Sequence, residues 1–342
     1  MSRINSPRIH LPPTGEAVAW PVEGSTCYYA LRHCPKQVRH HIHAARQLID
    51  SVGYCLLEVS EPTVAEKKIH WWHEEIARLA DGQPRHPAAK NYLDFFSQLP
   101  ATEQQQAANS LLTILSCHSE EKFNTMEDQA SFEELLVSDG RAKHRLLNLA
   151  HLKAADAAAT DRASGESKER GHAHAKPIHF IDSEADKEHG IKAVETTAGK
   201  QSDDDLLLGL SLFHRLAAFH KLYHAGLPVW PDSLYRQYNL SPESIKQNDS
   251  TEKWLNLQSD LFERTIAPLE RAQLSSVNSP ADNPRQHPDA QLATAIYSAI
   301  RVAQLRVWKK NRTNLLQQYR TVTPLKKAWI CWRLQRQSRA IK

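Results

Sequence analysis

The sequence has few cysteines and sets none of them for chemistry. Its five, Cys27, Cys34, Cys55, Cys117 and Cys331, are odd in number, widely spaced and never arranged as CxxC. That pattern excludes a disulfide framework and a cysteine zinc site, and it fits a reducing cytoplasm. No run of eighteen apolar residues occurs, so no membrane-spanning helix is expected. The opening MSRINSPRIHLPPTGEAVAW lacks the apolar core of a signal peptide. These absences point to a soluble cytoplasmic protein or one bound peripherally at the inner face of a membrane. Period-two alternation of apolar residues never persists, which excludes a sheet-based fold. Acidic residues vanish from the last stretch: residues 301–342 hold twelve Lys/Arg and no Asp/Glu, leaving 31 basic against 39 acidic residues in the rest. Such a surface suits anionic lipid, nucleic acid or an acidic partner, or it is only a solvated helix face. No nucleic-acid motif accompanies the charge, and no nucleic-acid partner is expected.

What is present is helical pattern. At 342 residues and 41% hydrophobic, the chain has enough material for one large all-α bundle. Residues 1–24, with Pro7, Pro12, Pro13 and Pro21, read as an irregular arm. From Pro35, apolar residues return every three or four positions (Val38, Ile42, Ala45, Leu48, Ile49, Val52, Leu56) until Pro62. Thr63 and Glu66 have capping-box spacing ahead of the stripe Ile69, Trp72, Ile76 and Leu79. Helices are expected near 88–98 and 102–117, with another before 150. Between about 158 and 205, Gly, Ser, Thr, Asp, Glu, Lys and His dominate, which predicts a disordered, mobile polar insertion. Helix resumes at Leu206 and runs to Gly226, followed by helices near 254–274, 290–319 and 325–336 in the same single domain.

Two stretches carry a family resemblance. The first spans Tyr28 to Pro87, with Pro35, Arg39, Ala44, Glu58, Pro62, Trp71, Trp72, Glu75, His86 and Pro87 in ungapped register; the second is Ala295-Ile296-Tyr297 and Thr323-Pro324-Leu325-Lys326-Lys327-Ala328-Trp329-Ile330-Cys331-Trp332-Arg333. Together they resemble the bacterial squalene/phytoene synthases. The resemblance implies an isoprenoid-synthase-type helical bundle, and active members join prenyl diphosphates using magnesium held by aspartates on two facing helices. It also makes Tyr28, Arg39, Glu58 and Tyr297 candidates for ligand binding.

The residues that should do that chemistry are missing. The three positions of the first aspartate motif fall on Gly53, Tyr54 and Leu57, and the arginine before them is Asp50. Magnesium requires hard oxygen ligands, and a carboxylate in place of the arginine repels a diphosphate. For the second motif, one register puts the family's Asn, Arg, Asp, Glu and Asp on His214, Ala217, Ala218, Lys221 and Leu222; the other puts them on Leu216, Phe219, His220, Tyr223 and His224. Neither recovers an acidic residue. Asp203-Asp204-Asp205 is expected to cap a helix start. His220/His224 and His70/Glu74 have metal-compatible spacing but no completing ligands, so no metal and no cofactor are expected. His40, His41 and His43 read as an exposed helix side.

The basic tail, residues 320–342, sets Trp329 and Trp332 among Lys326, Lys327 and Arg333. Those five are candidates for membrane or partner contact, although large aromatics at this spacing more often pack against the protein body. The resulting expectation is a non-catalytic family member that binds a prenyl lipid or a protein partner as an assembly or scaffold protein; the resemblance brings precedents, since some members without the aspartates assemble respiratory complexes. The alternatives are an active prenyl transferase with unusual ligands and a non-catalytic subunit of a heteromeric synthase.

Overall fold

The computed structural model describes residues 25–56, 59, 61–123, 128–169, 197–224, 229–241, 251–278, 288–316 and 321–340. Among these residues the regular structure is helical throughout. The expected arm and the centre of the polar insertion, 170–196, lie outside them.

Helix α1 (Thr26–Leu31) begins at Ser25, whose Oγ accepts a hydrogen bond from the Tyr28 amide at 3.1 Å. Helix α2 (Lys36–Tyr54) buries Val38, Ile42, Ala45, Leu48, Ile49 and Val52, the stripe that the three-four spacing predicts. Helix α3 (Pro62–Ala80) corrects the expected cap: Glu61 precedes the helix, Pro62 takes the first turn, and Thr63 is already inside. Proline has no amide to satisfy and its φ suits that position, so the helix starts ahead of the threonine. Gly82, at φ +73°, ends it. Then come α4 (Pro87–Phe96), α5 (Ala101–Phe123) and α6 (Gln129–Glu169). Helix α7 (Thr197–His224) is followed by α8 (Asp232–Gln237), α9 (Thr251–Asn278), α10 (Pro288–Lys310) and α11 (Pro324–Ala340).

The apolar faces meet in two large cores. One, from α2 to α6, centres on Ile49, Tyr92, Phe95, Leu111 and Ile114. The other joins α7 to α10 around Phe213, Phe219, Trp254, Phe262 and Trp308. A third cluster seals α1 and α11 onto α10 through Tyr29, Ile296, Ile300, Ile330 and Cys331. Helices α7 and α9 approach closely at Gly209, where a Cβ would lie 2.6 Å from Leu269 Cγ. A larger residue there would push the two helices apart.

Two helix boundaries differ from expectation. Helix α6 continues through Ala158–Glu169 and α7 begins at Thr197, so both ends of the expected insertion are helical. The run AADAAATDRA explains the first, since alanine is the best helix former even where little can be buried. Helix α10 stops at Lys310, not near 319. Arg312 turns left-handed at φ +47°, and the Thr313 amide closes back on the Trp308 carbonyl at 2.9 Å. This is a Schellman-type ending with arginine where glycine is usual.

Candidate functional site

The resemblance locates the site where α2 and α7 carry the two family motifs. At the first, Gly53 lies on the buried side of α2, and a Cβ built on it would sit 3.0 Å from His118 Nε2 on α5. The space next to the backbone at the first carboxylate position is therefore taken by an imidazole. Tyr54 ends α2, but its side chain, Leu57 and Glu58 lie outside the described residues.

His118 belongs to a charged cluster that sequence inspection did not single out. Its Nδ1 is 3.3 Å from Glu121 and its Nε2 is 3.7 Å from Asp139 on α6. Lys143 Nζ lies 2.5 Å from Asp139 and 3.5 Å from His118 Nε2. Arg215 on α7 pairs with Glu121, donates to the Val229 carbonyl at 2.9 Å, and lies over the Phe132 ring at 4.9 Å. Burial, then the neighbouring Lys143 cation, pushes the His118 pKa down to about 4, so the ring is neutral at physiological pH. Its Nδ1 faces Glu121, and its Nε2 faces both Lys143 and Asp139. Burial lowers Arg215 to about 9, still a cation at neutral pH. Two carboxylates thus face two cations and a neutral imidazole. The only hints in the sequence were two local spacings, His118/Glu121 and Asp139/Lys143, three and four apart on their helices.

Magnesium does not fit these residues. It needs several free hard oxygens, and here the carboxylates of Glu121 and Asp139 are already committed to Arg215, His118 and Lys143. No group of three or more His, Cys, Asp or Glu among the described residues could hold a metal ion.

The second motif is equally without carboxylates. Phe219 and Leu216 are fully buried and Leu222 nearly so, with Phe219 against Trp254 at 4.6 Å and Tyr223 at 5.7 Å. Ala217 and Ala218 pack against the same core. The side chains of His220, Lys221 and His224 are outside the described set. His214 Nε2 shares a hydrogen bond of 2.9 Å with the Tyr297 hydroxyl, whose oxygen accepts from Arg301 at 2.8 Å. Arg301 also lies over the Phe213 and Tyr297 rings at 4.3 and 4.7 Å. Burial, then the Arg46, Arg301 and Lys143 cations, holds His214 well below the usual histidine range. Those three cations come from three helices, α2, α6 and α10.

The remaining candidates separate. Tyr28 and Tyr297 share the seam of α1, α10 and α11, with Tyr28 edge-on to Tyr29. Arg39 is half-buried on the first turn of α2. Asp50 pairs with Arg46 at 3.0 Å, one turn before. The aspartates at 203–205 are not helix caps, because α7 starts at Thr197: Asp204 ties to Arg141 on α6 at 2.5 Å, and Asp205 grips Arg271 on α9 with bonds of 2.7 and 2.8 Å. His70 pairs with Glu74 at 3.1 Å on an exposed face. His41 is buried against Phe95 at 5.0 Å, contrary to the expected exposed histidine run, because its position falls on the core side of α2 between Val38 and Ala45. On the tail, Lys327 is buried and so is withdrawn from the contact candidates, while Trp329 and Trp332 are exposed, which overturns the expectation that they pack inward. Ile330 and Cys331 take the inward positions instead.

The family-like residues that do remain have a structural task. Glu75 is fully buried, and its Oε1 accepts from the Arg85 and His86 amides, both at 2.6 Å. Its Oε2 accepts from Arg78 at 2.9 Å. His86 then caps α4 by accepting from the Ala88 amide at 3.2 Å. Trp72 is buried against the His86 ring at 4.8 Å. This is a clamp between α3 and α4, not a catalytic constellation.

Among the described residues no helix is long and apolar enough to cross a membrane. The five cysteines are free thiols. No curated protein sequence matches the chain significantly. A crystal structure of a dehydrosqualene synthase in complex with a ligand shares the fold over 92% of each chain, with a TM-score of 0.59 and 11% sequence identity. Residues 21–134, from α1 into α6 and including the Glu75 clamp, match the family model for squalene/phytoene synthase. The fold is that of the dehydrosqualene synthase structure, and the first third of the chain is similar to the squalene/phytoene synthase family.

Proposed function

We propose that this protein is a non-catalytic member of the family that acts as an assembly or scaffold protein. The observation that carries the reading is at Gly53: the first metal-ligand position has no side chain, and the adjoining space holds the His118 ring of a charge-balanced cluster. A diphosphate leaving group needs its developing charge neutralised by metal, and neither motif supplies a carboxylate to hold one. The packing of Phe219 between Trp254 and Tyr223 supports a filled interior, which favours a scaffold over a prenyl-lipid carrier. Titrating the purified protein with farnesyl diphosphate in the presence and absence of magnesium, by calorimetry, tests this. The expected result is no magnesium-dependent binding; heat that appears only with magnesium would overturn the proposal.

A non-catalytic subunit of a heteromeric synthase would share these features. Co-purification with an active family member, followed by a gain in that partner's turnover, would select that version.

A further inference from the structure

The helix that closes the fold has two unlike faces. At about 100° per residue, Lys327, Ile330, Cys331 and Leu334 of α11 point one way, and Cys331 Sγ reaches the Tyr29 carbonyl at 3.3 Å. Ile330, Cys331 and Lys327 are buried there. Leu325, Trp329, Trp332 and Arg336 point the other way, within about 60° of arc. Leu325 is 82% exposed, Trp329 52% and Trp332 54%. Arg333 lies over the Trp329 ring at 5.0 Å and Arg336 over Trp332 at 5.5 Å. The docked face fixes the rotation of the helix, so this stripe is presented outward by the fold itself.

We infer that this stripe rests on the surface of an anionic lipid bilayer. Indoles flanked by guanidinium groups match the boundary where apolar chains meet charged headgroups, the rings entering and the cations staying with phosphate. The charge is complementary: α11 has no acidic residue, and its Lys326, Arg333 and Arg336 are exposed. Three apolar side chains are too few for a stable protein interface, which needs about 800 Å² from each partner. A second copy would bring the same positive face, and like charges oppose that pairing. The inference does not depend on whether the chain catalyses a reaction.

The test is co-sedimentation of the full chain with vesicles of phosphatidylcholine containing about one quarter phosphatidylglycerol, against pure phosphatidylcholine. Wild type is expected to pellet with the anionic vesicles only. W329A/W332A, which alters exposed residues and should keep the circular dichroism spectrum, is expected to weaken partitioning about tenfold or more. R333Q/R336Q is expected to weaken it as well and to flatten its salt dependence. Failure of wild type to pellet with anionic vesicles overturns the inference. So does equal pelleting by W329A/W332A, which would mean simple charge adsorption. Trp-dependent binding to an RNA oligonucleotide without vesicle binding would overturn it in favour of a nucleic-acid surface.

Discussion

Replacing Glu75 is the sharpest test of how the family-like first third of the chain is held. Its side chain is 1% exposed and accepts two backbone N–H groups at 2.6 Å and one guanidinium N–H at 2.9 Å. Removing an acceptor from a buried donor costs about 1–3 kcal/mol per group, and truncation removes about two methylene-sized groups from the core at roughly 0.8 kcal/mol each. Some of this is recovered as water reaches Arg85, an exposed residue, so E75A should destabilise by about 3–5 kcal/mol. E75Q keeps a carbonyl oxygen for the two amides but turns an NH2 toward Arg78, and should lose about 1–2 kcal/mol. Urea unfolding followed by circular dichroism gives the totals, and hydrogen exchange at the Arg85 and His86 amides shows where the loss occurs. The expected order of stability is wild type, E75Q, E75A. Loss of less than about 1 kcal/mol in E75A would refute the clamp. E75Q as unstable as E75A would locate the energy in the Arg78 pair and refute the backbone assignment.

Other substitutions probe the site. G53A gains about 0.5–1 kcal/mol of helix preference but meets His118, so it should be destabilising in wild type and stabilising in an H118A background; a double-mutant cycle by thermal unfolding that shows no coupling would contradict the packing of His118 on α2. Because the folded His118 pKa is about 4, below the unfolded value near 6.5, the unfolded chain binds the proton first as pH falls. Stability is therefore fully present above about pH 6.5 and is lost on the order of 3 kcal/mol between there and pH 4. The lowered His214 acts with the same sign. H118N should flatten that slope, and an unchanged slope would count against a buried neutral ring. E121Q leaves the Arg215 cation without its carboxylate in a buried setting and should cost about 3–5 kcal/mol, read by denaturant unfolding.

Periodic apolar spacing made the helices of this fold legible, most clearly in α2, whose stripe from Val38 to Val52 is buried as read. Element ends were less so. Thr63 and Glu66 form a plausible capping box, yet Pro62 starts α3 earlier; Arg312 adopts a left-handed turn that arginine rarely signals. That no carboxylate stands at the positions resembling either aspartate motif could be read at once, because it is a matter of residue type alone. The charged cluster beside Gly53 could not, because His118, Glu121, Asp139, Lys143 and Arg215 come from three helices and are joined only by packing. The tail misled for a related reason: Trp329 and Trp332 have core-like spacing, but the inward face of α11 was already taken by Ile330 and Cys331. Helix periodicity shows that a helix has faces, and only its docking decides which one is covered.

The most direct test of the central claim is turnover. Purified protein, incubated with farnesyl or geranylgeranyl diphosphate and magnesium, should release no diphosphate above the protein-free rate. Sustained release that scales with protein concentration would contradict the account and would require carboxylates from elsewhere in the chain to be holding the metal.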